Sequence, residues 1–117
     1  MAQSGEPLYA CVDPAQTRVL DIGITVCDAE ATDALRTRLD RDNLQLREGV
    51  LVTEVTADGI AGVAGLLPGD VIYRVGGVDV SDDVETAARL SLIADDADSL
   101  MNFLRLGRPY RVKIRQF

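Results

Sequence analysis

The side chains able to carry covalent or metal chemistry are few, and their spacing argues against it. The 117-residue chain has no histidine and one lysine, Lys113, which excludes Ser-His-Asp, Cys-His and histidine-ligated metal designs. A Schiff-base or Ser-Lys mechanism would have to use Lys113, and that residue alternates with Arg111 and Arg115 as a surface strand residue would. Cys11 and Cys27 are too few for a zinc site without histidine and too far apart in sequence for a redox pair. Two buried reduced thiols are the preferred reading; a disulfide, which would imply an oxidising compartment, is the other. Asp95, Asp96 and Asp98 invite a calcium reading, but an EF-hand loop from Asp96 would need acids where Leu100 and Gly107 stand. Gly59, Gly62 and Gly65 match neither a Walker loop nor a dinucleotide fingerprint. No catalytic residue, metal ligand or cofactor is expected.

What remains is backbone chemistry. In Leu20-Asp21-Ile22-Gly23-Ile24 a glycine-containing turn leads into a strand. Such a turn can leave backbone N–H groups converging on one point, a nest for a terminal carboxylate. Ile22, Gly23 and Ile24 would donate, while Asp21 would repel an anion if its side chain turned inward. An extended peptide would add beside Ile24-Thr25-Val26, its other side against a helix from Ser81 to Ile93. On that helix Thr86 and Leu90 lie one turn apart and would face the peptide, with Val84, Ala87 and Ile93 toward the sheet.

The elements that must position this turn are short. The length suits one domain, and 47% apolar with 26% charged residues is ordinary for a soluble protein. Thr17 to Val26 alternates as a strand around Gly23. Ala29 to Leu39 has helical spacing, with Asp28 or Thr32 as N-cap. Val50 to Val55 and Val71 to Val75 are strands, and Gly76-Gly77 signals a hairpin onto Val78-Asp79-Val80. Ser81 caps the next helix, with Glu85 near the capping-box position. Leu100 to Leu106 and Tyr110 to Phe117 make two final strands.

Gly49-Val-Leu-Val-Thr-Glu-Val55, Ala64-Gly-Leu-Leu-Pro-Gly-Asp70-Val-Ile and Val75-Gly-Gly-Val-Asp-Val80 follow one another as strand, helical turn, strand and hairpin. This succession resembles the central pattern of PDZ domains, with Leu20 to Ile24 similar to their carboxylate-binding loop. Ala29 to Glu48 is similar to the helical insertion of bacterial HtrA-type members. The resemblance implies an α+β fold over residues 17–117, a small partly open β-barrel or sandwich of five to six short strands and two to three short helices. Residues 1–16 read as an N-terminal extension. By the same resemblance Thr86 holds a helix position that is often histidine in animal members preferring Ser or Thr at the third residue from the peptide's end.

The resulting expectation is a non-catalytic module, soluble as given and periplasmic or in the cell envelope. It would bind apolar C-terminal peptides or unfolded protein ends through Asp21, Ile22, Gly23, Ile24, Thr25, Val26, Thr86 and Leu90. Two other readings are a regulatory fragment of an HtrA-like or other PDZ-bearing protease, and an assembly element contacting a folded partner in an envelope or secretion complex. Nucleic acid is not expected as a partner, since the net charge is −7. Nor is direct membrane insertion, since no apolar run of about 18 residues occurs. The terminal Phe117 could support weak self-association by entering the groove of a second copy.

Overall fold

The computed structural model describes residues 7–92 and 98–115. The expected contact through Phe117, the packing of Ile93 and the acidic residues Asp95 and Asp96 lie outside them. The described chain builds eight strands and three helices: β1 (Tyr9–Cys11), β2 (Arg18–Leu20), β3 (Ile24–Ala31), α1 (Asp33–Arg38), β4 (Val50–Val55), α2 (Ile60–Ala64), β5 (Val71–Val75), β6 (Val78–Asp79), α3 (Asp83–Ser91), β7 (Asp98–Arg105) and β8 (Arg108–Arg115). All pairings are antiparallel, in the order β1-β3-β4-β5-β7-β8. β2 adds to β3 beside β1, and β6 adds to β5. The sheet stays open, as the resemblance implied, with more strands than the sequence pattern separated.

Side-chain alternation divides the core between the two faces. On β5, Val71 and Tyr73 join Leu8, Tyr9, Leu35, Leu44 and Leu104 on one face. Ile72 and Val75 join the larger cluster of Ile24, Val26, Val50, Val52, Met101, Phe103 and Ile114 on the other. These two residues are an odd number of positions apart and still share a face, because a register shift between Ile72 and Arg74 against β7 inserts an extra residue. The two glycines after β5 take positive φ of 61° and 83°, the geometry of a tight hairpin turn whose twist matches the strands.

Several elements differ from the sequence pattern. Ala29–Ala31 continue β3 instead of opening a helix, because they pair with β1 and the small side chains of Ala29 and Ala31 pack on the second cluster. The helix starts only after Thr32, whose hydroxyl accepts the Leu35 N–H (3.4 Å) and donates to the Pro7 carbonyl (2.7 Å). The segment read as an extension thus supplies β1, with Leu8 and Tyr9 buried. Asp82, not Ser81, caps α3, accepting the Glu85 N–H at 2.8 Å, while the Glu85 carboxylate reaches back to Ser81. Cys11 and Cys27 form a disulfide, so the reading as reduced thiols is corrected. Pairing of β1 with β3 brings into contact two residues 16 apart in sequence.

One buried ion pair fixes the turn before β5. Asp70 is 1% exposed and receives the Arg105 guanidinium as a fork, Nε to Oδ1 at 2.9 Å and Nη2 to Oδ2 at 2.8 Å. The Leu67 N–H adds a third bond at 2.9 Å, and the same guanidinium caps the Gly65 carbonyl at 2.9 Å. Arg105→Ala strands the enclosed Asp70 carboxylate with only the Leu67 N–H, and breaking such a buried pair costs about 3 kcal/mol. Urea unfolding should show that loss, whereas Asp33→Ala, which breaks an exposed pair with Arg36, should leave the midpoint nearly unchanged.

Candidate functional site

The turn between β2 and β3 is held from behind. The Ile22 carbonyl accepts the Ala61 N–H at 2.9 Å and the Gly23 carbonyl accepts the Thr56 N–H at 2.8 Å. In a trans peptide the C=O and the following N–H point in opposite directions. Tying these two carbonyls to α2 and its approach therefore turns the Gly23 and Ile24 N–H groups away from that side. Gly23 is required here: its φ is +86°, and a Cβ would stand 3.3 Å from the Gly59 Cα.

The open side of β3 is not empty. One edge pairs with β4, and the other runs antiparallel to the N-terminal segment over nearly its whole length. Tyr9–Cys11 lie opposite Ala31 to Ala29, the Val12 N–H donates to the Asp28 carbonyl at 2.9 Å, and Arg18–Leu20 lie opposite Val26 to Ile24. Leu20 ends this run at the turn, where its carbonyl accepts the Gly23 N–H at 3.0 Å. One of the three donors expected for a carboxylate is thus engaged by the chain itself. The Leu20 side chain is 5% exposed and sits in the cluster that contains Ile22, Ile24 and Leu90.

α3 lies across from this edge. Leu90 and Thr86 are both buried, one turn apart, with the Thr86 hydroxyl donating to the Asp82 carbonyl at 2.8 Å. Leu90 is more enclosed than a half-exposed groove residue would be, and it belongs to the same core cluster as Leu20. Ala87 packs against the core as expected, but Val84 is 61% exposed and does not. Asp21 is exposed, and Thr25 and Val26 follow the turn on β3.

Charges join the start of α3 to both strands. Arg18 Nε lies 2.6 Å from Asp83 Oδ2, and the Asp83 backbone N–H donates to Asp28 Oδ1 at 2.8 Å. The bonded Arg18 guanidinium holds the Asp83 carboxyl below its ordinary value. Burial, with the charges of Asp83 and Asp82 behind it, pushes Asp28 up. The contact of Arg18 with Asp83 had no signal in sequence spacing, since the two are 65 residues apart, and Asp28, read as a possible N-cap of the first helix, instead accepts the N–H at the start of α3.

The raised carboxyl gives a signed pH dependence. Asp28 ionises less readily folded than unfolded, so its charge penalises the fold above the folded pKa and not below the ordinary 3.8. Asp28→Asn keeps an acceptor for the Asp83 N–H and loses the charge. Its unfolding free energy should exceed that of the parent at pH 7 and match it near pH 3, as followed by urea denaturation. An equal difference at both pH values would refute the electrostatic account.

Residues 51–100 match the family model described as PDZ domain. A search of curated protein sequences gives no match. Among solved structures, the chain is similar to an HtrA-type protease, AlgW, with decapeptide, at 23% identity and a TM-score of 0.63 over 80% of this chain and 27% of that one. It is similar to the HtrA3 PDZ domain bound to a phage-derived ligand (FGRWV), at 17% identity and a TM-score of 0.60 over 86% and 84% of the two chains. The serine endoprotease from Yersinia pestis matches at 24% identity and a TM-score of 0.54, over 74% of this chain and 36% of that one. The chain therefore spans about a quarter of AlgW and about a third of the Yersinia protein. The fold is that of a PDZ domain.

Proposed function

We propose that this PDZ fold is a non-catalytic docking module that takes apolar C-terminal segments on the β3 edge by strand addition. The terminal carboxylate would lie on the amides of Ile22, Gly23 and Ile24, and the last side chain against Ile22, Ile24 and Leu90. The observation that carries this reading is how the edge holds Arg18–Leu20. That segment is extended, antiparallel to β3 and ends in a buried leucine whose carbonyl accepts the Gly23 N–H. These are the features a strand-adding peptide needs, a paired backbone and a pocket for an apolar side chain. Solved relatives described with a decapeptide and with a phage-derived ligand support a peptide as the partner class. The Cys11–Cys27 disulfide supports an oxidising compartment such as the periplasm.

A second reading, a regulatory part of a protease, is favoured by the description of two relatives as proteases in which this fold is a minor share of the chain. On that reading the same docking event changes the rate of an attached catalytic domain, and peptide-dependent peptidase activity of the natural protein tests it. The assembly-element reading has no specific observation in its favour.

The test uses an acetylated pentapeptide with the sequence of residues 16–20, as free acid and as amide. Charge-assisted bonds to backbone N–H groups are each worth about 1.5 to 3 kcal/mol, so the amide should bind at least about tenfold more weakly by fluorescence polarisation. Equal affinity removes the turn from the mechanism. Leu90→Ala should weaken the acid by about tenfold with an unchanged circular dichroism spectrum, whereas Ile72→Asp, which places a charge at a fully buried site, should unfold the domain.

A further inference from the structure

A strand edge offers one row of N–H and C=O groups, so it pairs with one neighbour at a time. The outer edge of Ile24–Val26 is already paired with Arg18–Leu20, and the other edge belongs to β4. We infer that β2 is a built-in occupant of the docking edge, which an incoming peptide C-terminus must displace. This inference rests on the docking role proposed for that edge and adds its regulation. The occupant shares a ligand's features: direction along β3, a buried apolar Leu20 in the core cluster that also holds Ile22, Ile24 and Leu90, and a carbonyl on the Gly23 amide.

Its hold has two unequal parts. The near part is β2, three residues long, with Val19 75% exposed and the ion pair from Arg18 to Asp83 clasping it to the start of α3. The far part is β1, stapled to β3 through Cys11 and Cys27. The displaceable stretch is therefore β2, while β1 keeps the far half of the edge covered. Peptide affinity is then reduced by the fraction of time β2 is paired, and anything that loosens β2 removes part of that reduction. The Arg18–Asp83 pair is partly solvent-exposed, with side chains 43% and 26% accessible. Removing it should tighten peptide binding by about two- to fivefold, the range such pairs are worth.

The experiment titrates the free-acid pentapeptide with alanine in place of its arginine, so that the probe cannot itself pair with Asp83, into the disulfide-intact full chain, into Arg18→Ala, into Asp83→Asn and into the double variant. Displacement predicts tighter binding to both single variants, by about two- to fivefold, and no further gain in the double variant, because both changes remove one contact. At peptide saturation the methyl resonances of the buried Leu20 should move to unpacked values while that of Met101 stays in place. Binding of equal strength in parent and variants, with the Leu20 resonances unmoved, overturns the displacement and leaves the docking role standing. No binding to any of the four proteins overturns the docking role and this inference together.

Discussion

A strand has two edges, and the backbone groups on both must find partners or face water. β3 is the strand on which this constraint falls hardest. It starts at the turn whose amides could hold an anion, it lies opposite α3, and its residues line both core clusters. Pairing with β4 satisfies one edge. The N-terminal segment satisfies the other, and in doing so buries Leu20 and brings Arg18 to Asp83 and Cys11 to Cys27. The position of each of these groups is a consequence of that second pairing.

The charged contacts divide by solvent access. Asp70 and Arg105 are joined by a fork in a site where the carboxylate is fully enclosed, and the pair adds bonds to the Leu67 N–H and the Gly65 carbonyl. It is part of the scaffold, and removing the arginine leaves the enclosed carboxylate without its counter-charge. Arg18 and Asp83 remain in contact with water, so their attraction is modest and can be given up at little cost. Asp28 beside Asp83 lowers the gain further, because two carboxylates share the start of one helix. A strong pair holds the turn that never needs to move, and a weak one holds the strand that blocks the candidate site.

The match to PDZ domains and the likeness to HtrA-type structures explain the order of the elements and the packing of α2 behind the turn. The family match spans residues 51–100, so β1, β2 and the staple between β1 and β3 lie before it. The regulation inferred for the site is concentrated in that segment and not in the turn or α3.

Much of the architecture was legible in local pattern. The Ala-Gly-Leu turn, the Gly-Asp-Val-Ile strand and the Gly76-Gly77 hairpin depend on residues close in sequence, where glycine conformation and side-chain alternation act directly. The turn at Gly23 and the pair Thr86 and Leu90 were legible for the same reason. Pairings between distant residues were not. Ala29–Ala31 carry a helical pattern yet lie in a strand because β1 is there to pair with them. Leu20 reads as one more apolar strand residue until the hairpin lays it in the pocket. The bond between Arg18 and Asp83 and the disulfide exist only because an extended segment returns along β3. The sequence by itself determined where the glycine turn and the strand after it lie, and that Thr86 and Leu90 stand one turn apart on a helix. The tertiary structure alone decided that the turn's own N-terminal neighbour would pair with the outer edge of that strand, since an edge goes to whichever strand is tethered nearest.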